Sequence, residues 1–169
     1  MFEREGFKVV GSAEVARDLL APMGPIGRLK PGAEDEADIL YGLRVSQAMG
    51  ALDIGQAAVV CRGLVLAVEA AEGTDAMLTR VASLPETLRG TPTHKKGVMV
   101  KTVKPHQERR VDLPVVAART VELVAAAGLS GLAIQAGGVL LVDRGKLAAA
   151  ADRLGVFVEG FKPEALARE

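Results

Sequence analysis

One order of elements occurs twice along the chain, and it restricts the fold more than any single residue does. From residue 33, "AEDEADILYGLRVSQAMGAL" has helical spacing, with Glu34, Asp35 and Glu36 at its electropositive start and Ile39, Leu40, Leu43 and Ala48 as its apolar stripe. "GQAAVV" and "LVLAVEA" read as strands joined into a hairpin at "CRG". "TDAMLTRVASLPETL" is a helix that Pro85 kinks or splits, and "GVMVKTVK" is a third strand. The order then begins again. "LPVVAARTVELVAAAGL" is a helix, "GLAIQAG" and "GVLLVD" form a hairpin, "GKLAAAADRLG" is a helix and "VFVEG" a strand. "GLVLAVE" at 63–69 also lies over "GGVLLVD" at 137–143, which matches Glu69 with Asp143. Two helix–strand–strand–helix–strand units predict an internally duplicated α/β fold, a sandwich on one mixed sheet.

The first 32 residues have a different texture. "GFKVVGSAEVARDLLAP" reads as a strand over Phe7–Val10 followed by a short helix. "PMGPIGRLKPG" crowds Pro22, Pro25 and Pro31 with Gly24, Gly27 and Gly32, which excludes helix and central strand. This stretch reads as a linker. The rival reading is a phosphate loop, with Gly24, Gly27 and Arg28 approaching an anion, although neither the P-loop nor the dinucleotide fingerprint is present. Residues 1–32 are thus expected to be the end of a preceding domain plus a linker, and residues 33–169 an α/β domain.

Charge and composition narrow the function classes. Lys plus Arg number 21, as do Asp plus Glu, so the chain lacks the basic surplus of a general nucleic-acid binder. Aromatic residues are 3% and Trp is absent, which argues against base-stacking platforms. The apolar fraction, 49%, supplies a core of Ala, Val, Leu and Ile. The single cysteine, Cys61, lies in a strand-like run, reads as core and fits a reducing compartment. No apolar run reaches membrane-span length and the start has no signal core, so the expected location is cytoplasmic.

Two stretches hold the candidate chemistry. "VEAAEGTDAM" places Glu69, Glu72 and Asp75 around one glycine at a strand-to-helix junction. They could decorate a helix start, with Thr74 or Asp75 as N-cap, or hold a metal ion such as Mg²⁺, which needs few carboxylates beside a substrate phosphate. The second copy makes the same passage through the shorter "RGK", so the added acids are not a folding requirement. "THKKGVMVKTVKPHQERRVDLP" gathers Lys95, Lys96, Lys101, Lys104, His106, Arg109 and Arg110 against one acid, Glu108, ahead of Asp112. Cations beside a carboxylate suit a phosphate ester site. The plainer reading makes Asp112 an N-cap, with Pro114 in the first helical turn and the lysines guarding a strand edge. His94 and His106 are isolated and read as surface residues.

"GQAAVVCRGLVLAVEAAEGTDAM", "GVMVKTVKPHQERRVDLP" and "TVELVAAAGLSGLAIQAGGVLLVDR" together resemble the C-terminal domain of the UDP-2,3-diacylglucosamine pyrophosphatases of the alphaproteobacterial lipid A pathway type. The resemblance runs from "GPIGR" over nearly the whole remaining chain. It implies Mg²⁺-dependent hydrolysis of UDP-2,3-diacylglucosamine to UMP and 2,3-diacylglucosamine 1-phosphate (lipid X), with water attacking the sugar-side phosphorus. It also implies an N-terminal domain absent from this chain, substrate held between the two domains, and peripheral contact with the inner membrane. Its key aspartate falls on Asp112, as metal ligand or activator of water. Lys101, Lys104, Gln107 and Arg110 would contact phosphate. Glu72, Thr74 and Asp75 would face them, with Glu72 and Asp75 on the metal and Thr74 on phosphate. Glu108 and Ala117 depart from the family pattern, which has aspartate and glycine there. The alternative is a non-catalytic lipid or nucleotide-sugar binding domain, or an oligomerisation domain, whose chemistry lies in the absent N-terminal part. An orphan strand near the N-terminus would favour homo-oligomer formation.

Overall fold

The computed structural model describes residues 17–104 and 113–166. The strand expected at Phe7–Val10 lies outside the described residues. The fold begins with a 3-10 turn, Arg17–Leu19, and a two-residue strand β1, Gly24–Pro25. Helix α1 is Ala33–Ala51, β2 Ala57–Cys61, β3 Leu64–Val68, α2 Gly73–Ala82 and β4 Val98–Lys101. Strand β5 is Val115–Val116, α3 Ala118–Ala126, β6 Gly131–Gln135, β7 Leu140–Leu141, α4 Arg144–Leu154, β8 Phe157–Phe161 and α5 Pro163–Leu166. Six strands form one mixed sheet in the order β1-β8-β6-β4-β2-β3, and β5 and β7 form a small second sheet.

The central strands β4, β6 and β8 run parallel, which requires crossovers, and α3 and α4 lie in them. Side-chain alternation then sets two layers. Val98 and Val100 of β4, Ala133 of β6 and Phe157 and Phe161 of β8 meet Ile39 and Leu43 of α1. Met99, Leu132, Ile134 and Val158 face the other way, into the larger core with Met77, Leu78 and Val81 of α2, Val121 and Val124 of α3 and Leu147 of α4. This is the α/β sandwich expected from the sequence. None of the helices among the described residues is long and apolar enough to cross a membrane.

The recurrence of elements is one of order, not of placement. Helix α1 covers one face alone, whereas α3, its counterpart, lies with α2 and α4 on the other. Strands β2 and β3 form the expected antiparallel hairpin. Its turn, Arg62-Gly63, has φ of 53° and 73°, and the Asp38 side chain of α1 accepts both turn amides at 2.8 Å. The second expected hairpin does not form. Both edges of β6 are taken by β4 and β8, so β7 pairs instead with β5, parallel.

Other boundaries also differ from expectation. The helix expected from Leu113 starts at Ala118 with Ala117 as N-cap, because Val115–Val116 is drawn out as a strand beside β7. Asp112 is therefore not that helix's cap. Ala117 has φ −133° and ψ 175°, extended backbone that alanine adopts freely, so the family's glycine is not required there. Helix α2 ends at Ala82, and Pro85 opens a separate turn rather than kinking it. On α1 the buried face carries Asp38 and Ser46 beside Ile39 and Leu43, while Ala48 is exposed. Cys61 is buried, as expected, and burial pushes its thiol pKa up.

The Pro/Gly stretch is not free of the domain. Gly24 and Pro25 pair antiparallel with Gly160 and Glu159, an edge position where proline costs no ladder bond. Ile26 is buried and its amide donates to the Val158 carbonyl at 2.8 Å. Arg28 meets an anion, but one supplied by the protein: its amide and Nε donate to Asp152 at 2.7 and 3.1 Å. The approach to β8 is close. A Cβ on Gly160 would lie 1.8 Å from the Pro22 carbonyl oxygen. Gly160→Ala should therefore push β1 off the sheet edge and cost about 1–3 kcal/mol, as overpacking does. Urea unfolding checks the loss, and amide exchange of Ile26 should rise with it.

Candidate functional site

The site forms at one end of the sheet, where β4 finishes and α2 begins. Strand β2 lies between β3 and β4, with Ala57 paired to Lys101 on one side. On the other, the Glu69 amide donates to the Ala57 carbonyl at 2.8 Å. Adjacent strands in register direct opposed residues to the same face, so Glu69, Ala57 and Lys101 share one. The two charged residues stand roughly 9.5 Å apart at their backbones, two strand spacings. Only a methyl group lies between them, so the long side chains can meet above Ala57.

They meet through Thr74, in the first turn of α2. The Lys101 ammonium donates to Thr74 Oγ1 at 2.6 Å, and Thr74 Oγ1 donates to Glu69 Oε1 at 2.5 Å. Lys101 Nζ lies 3.7 Å from the same carboxylate oxygen. Lys101 is 4% exposed and Glu69 6%. Glu69 Oε2 is buried with no hydrogen-bond partner among the described residues. Burial pulls the Lys101 pKa down, and the Glu69 and Asp75 carboxylates oppose that pull.

The remaining candidates are placed differently. Asp75 is exposed, and its carboxylate accepts no hydrogen bond among the described residues. Glu72 turns to Arg80, at 2.7 Å from its Nη2, and this bond lowers the Glu72 pKa. Arg80 also donates to the Val68 carbonyl at 3.1 Å, which ties the end of β3 to α2. Lys104 pairs with Asp53 at 2.7 Å. Gln107, Arg110 and Asp112 lie outside the described residues, as do His106, Glu108 and Arg109. His94 is exposed. A separate hollow of about 320 Å³, lined by Asp35, Asp38, Arg62, Lys96 and Ser130, opens at the opposite end of β4.

The sequence offered Glu69 only as one of three candidate carboxylates and matched it with Asp143 as a strand end, with no link to Lys101. Asp143 is an exposed helix cap, accepting from the Lys146 amide at 3.0 Å and paired with its ammonium at 2.8 Å. Glu69 is a buried acceptor. A signal was available: "LVLAVE" and "VMVK" each carry a charge directly onto the end of an apolar strand.

The family pattern of the LpxI C-terminal domain matches residues 22–159 of this sequence. The chain belongs to that family. It is 52% identical over 163 residues to the UDP-2,3-diacylglucosamine pyrophosphatase LpxI of Caulobacter vibrioides, which covers 96% of this chain. The chain spans 58% of the length of that LpxI. Among solved structures, a dCMP deaminase from the cyanophage S-TIM5 aligns at a TM-score of 0.43 and 16% identity, over 79% of this chain and all of that one. That likeness is too remote to bear on the site.

For this LpxI-family domain, the buried lysine gives a pH signature. The folded state binds the Lys101 proton less tightly than the unfolded state does, because the folded pKa lies below the ordinary lysine value of 10.5. Its penalty is fully present below the lowered pKa and is relieved as pH rises toward 10.5. Relative to Lys101→Met, the wild type should gain stability as pH rises through that window. Urea midpoints measured across it check the slope; a flat difference would mean that Lys101 is not desolvated.

Proposed function

We propose that this chain is the C-terminal part of an enzyme that hydrolyses the diphosphate of UDP-2,3-diacylglucosamine, giving UMP and 2,3-diacylglucosamine 1-phosphate in lipid A biosynthesis. The observation that carries the reading is the 2.6 Å contact between Lys101 and Thr74. It joins the two stretches of sequence that carry the candidate chemistry at one end of the sheet. The LpxI relative, whose name states this activity, supports the reading from sequence.

A diphosphate carries negative charge that a site must neutralise before water can approach. Lys101 supplies a cation held in a dry setting, where its attraction for phosphate oxygens is least screened. Lys104, Gln107 and Arg110 follow in the same motif and are assigned to phosphate as well. Asp112 is assigned as the base. Its carboxylate takes a proton from water while the water oxygen bonds to the sugar-side phosphorus. The bridging P–O bond breaks, and that oxygen leaves with UMP.

Mg²⁺ is part of the proposal. Among the described residues no three His, Cys, Asp or Glu side chains gather as a ligand set. Glu72 is committed to Arg80, and Glu69 stands against a lysine. Asp75, exposed and without a hydrogen bond to its carboxylate among the described residues, has the hard oxygen donors that suit Mg²⁺, and so has Asp112. These two would hold the ion with substrate oxygens and water, and the ion would offset phosphate charge.

In a protein of LpxI length carrying this domain, Asp112→Ala should lower kcat by at least about a thousandfold, the scale of losing a catalytic base with its charge. KM should change little. A coupled assay of UMP release checks this, and unchanged turnover would remove Asp112 from the chemistry.

A further inference from the structure

Glu69 is a buried carboxylate to which the hydrolysis described above gives no part. A carboxylate oxygen removed from water without a donor is costly. Among the described residues Glu69 nevertheless leaves Oε2 unpartnered and commits Oε1 to Thr74. Its ion-pair partner among the described residues is Lys101. A residue needed only to end β3 could face water, as Asp143 does after β7.

We propose that Glu69 is a positioning residue of the diphosphate site, acting through Thr74 to aim the Lys101 ammonium at the substrate's phosphate oxygens. The proposal rests on the hydrolase reading above. The direction of each hydrogen bond is forced. An ammonium only donates, so Thr74 Oγ1 accepts from Lys101 and its single proton goes to the carboxylate. Thr74 therefore offers no hydroxyl proton to a phosphate while this chain is intact; it is the coupling between the two charges. Lys101 has three N–H bonds and gives one to Thr74. Glu69 Oε1, at 3.7 Å, is too far to capture a second. The other two Lys101 N–H bonds meet no acceptor among the described residues, on a cation whose direction is already set, and they are assigned to an oxyanion. A preoriented donor needs no reorganisation as charge develops in the transition state. Glu69 thus supports kcat rather than ground-state affinity.

The test has two arms. In a protein of LpxI length carrying this domain, Glu69→Gln keeps the shape and an acceptor for Thr74 but removes the charge. It should lower kcat between about 10- and 100-fold, the scale of losing an outer partner of a site residue, with KM within about twofold. Thr74→Val should lose a similar factor, and Thr74→Ser should recover most of it. In a Lys101→Met background, Glu69→Gln should add nothing, because the residue it orients is gone. A further loss there, or unchanged kcat in Glu69→Gln alone, overturns the proposal. The second arm needs no substrate. In the chain labelled with 15N-lysine, the Lys101 ammonium should give a protected 1H–15N signal that Glu69→Gln and Thr74→Val abolish while the Lys146 amide shift of α4 holds. Persistence of that signal in both variants also overturns it. If the wild type leaves UDP-2,3-diacylglucosamine intact, the hydrolase reading falls, and the ammonium signal still decides whether Glu69 orients Lys101.

Discussion

A lysine and a glutamate share the buried end of a sheet because the residue between them is alanine. Ala57 sits on the strand that separates β3 from β4, and its methyl group leaves the volume in which Lys101, Thr74 and Glu69 meet. A larger side chain there would hold the charges apart and leave each in a dry interior alone, the costly outcome for buried ions. The contact also ties three elements together: the strand end carrying Glu69, the first turn of α2 and the last residue of β4. The candidate chemistry and the local packing are one arrangement.

That arrangement depends on the sheet order. Strand β4 is central, paired with antiparallel β2 on one side and parallel β6 on the other. Its alternation sends Val98 and Val100 to α1 and leaves Met99 and Lys101 facing α2, α3 and α4. A register slip of one residue would turn Lys101 toward α1 and put Val100 or Thr102 at the site in its place. The parallel core therefore specifies the ammonium's face as firmly as the hydrogen bonds specify its direction.

The regular elements were legible because periodicity reports burial directly. Helix α1 and strands β2, β3, β4, β6 and β8 fall where apolar spacing places them. Legibility stopped where partners decide. "GLAIQAG" and "GVLLVD" have the spacing of a hairpin, yet β6 already has two parallel neighbours and no edge for β7. "LPVVAARTVELVAAAGL" has helical spacing from its first residue, but pairing with β7 draws Val115 and Val116 into a strand and delays the helix to Ala118. "PMGPIGR" cannot be a central strand, which is correct, and nothing in it announces that β8 leaves an edge for Gly24 and Pro25. Of the candidate site, Thr74 and Lys101 were readable as motif members. Glu69 belongs to the same motif, but its partnership with Lys101 was not readable, because alignment with Asp143 compares strand ends and carries no information on what lies above them.

By itself, the sequence determined the family, the α/β class, the positions of most strands and helices, and the two stretches in which the chemistry resides. These follow from local pattern and motif, which a chain carries whatever its neighbours are. Tertiary structure alone decided that Arg28 answers to Asp152, that Glu72 answers to Arg80, and that Glu69 reaches Lys101 through Thr74. A charge's partner is set by which strands lie side by side and by the size of the residue between them. Lys101 is 32 positions from Glu69 in sequence, one alanine away in the sheet.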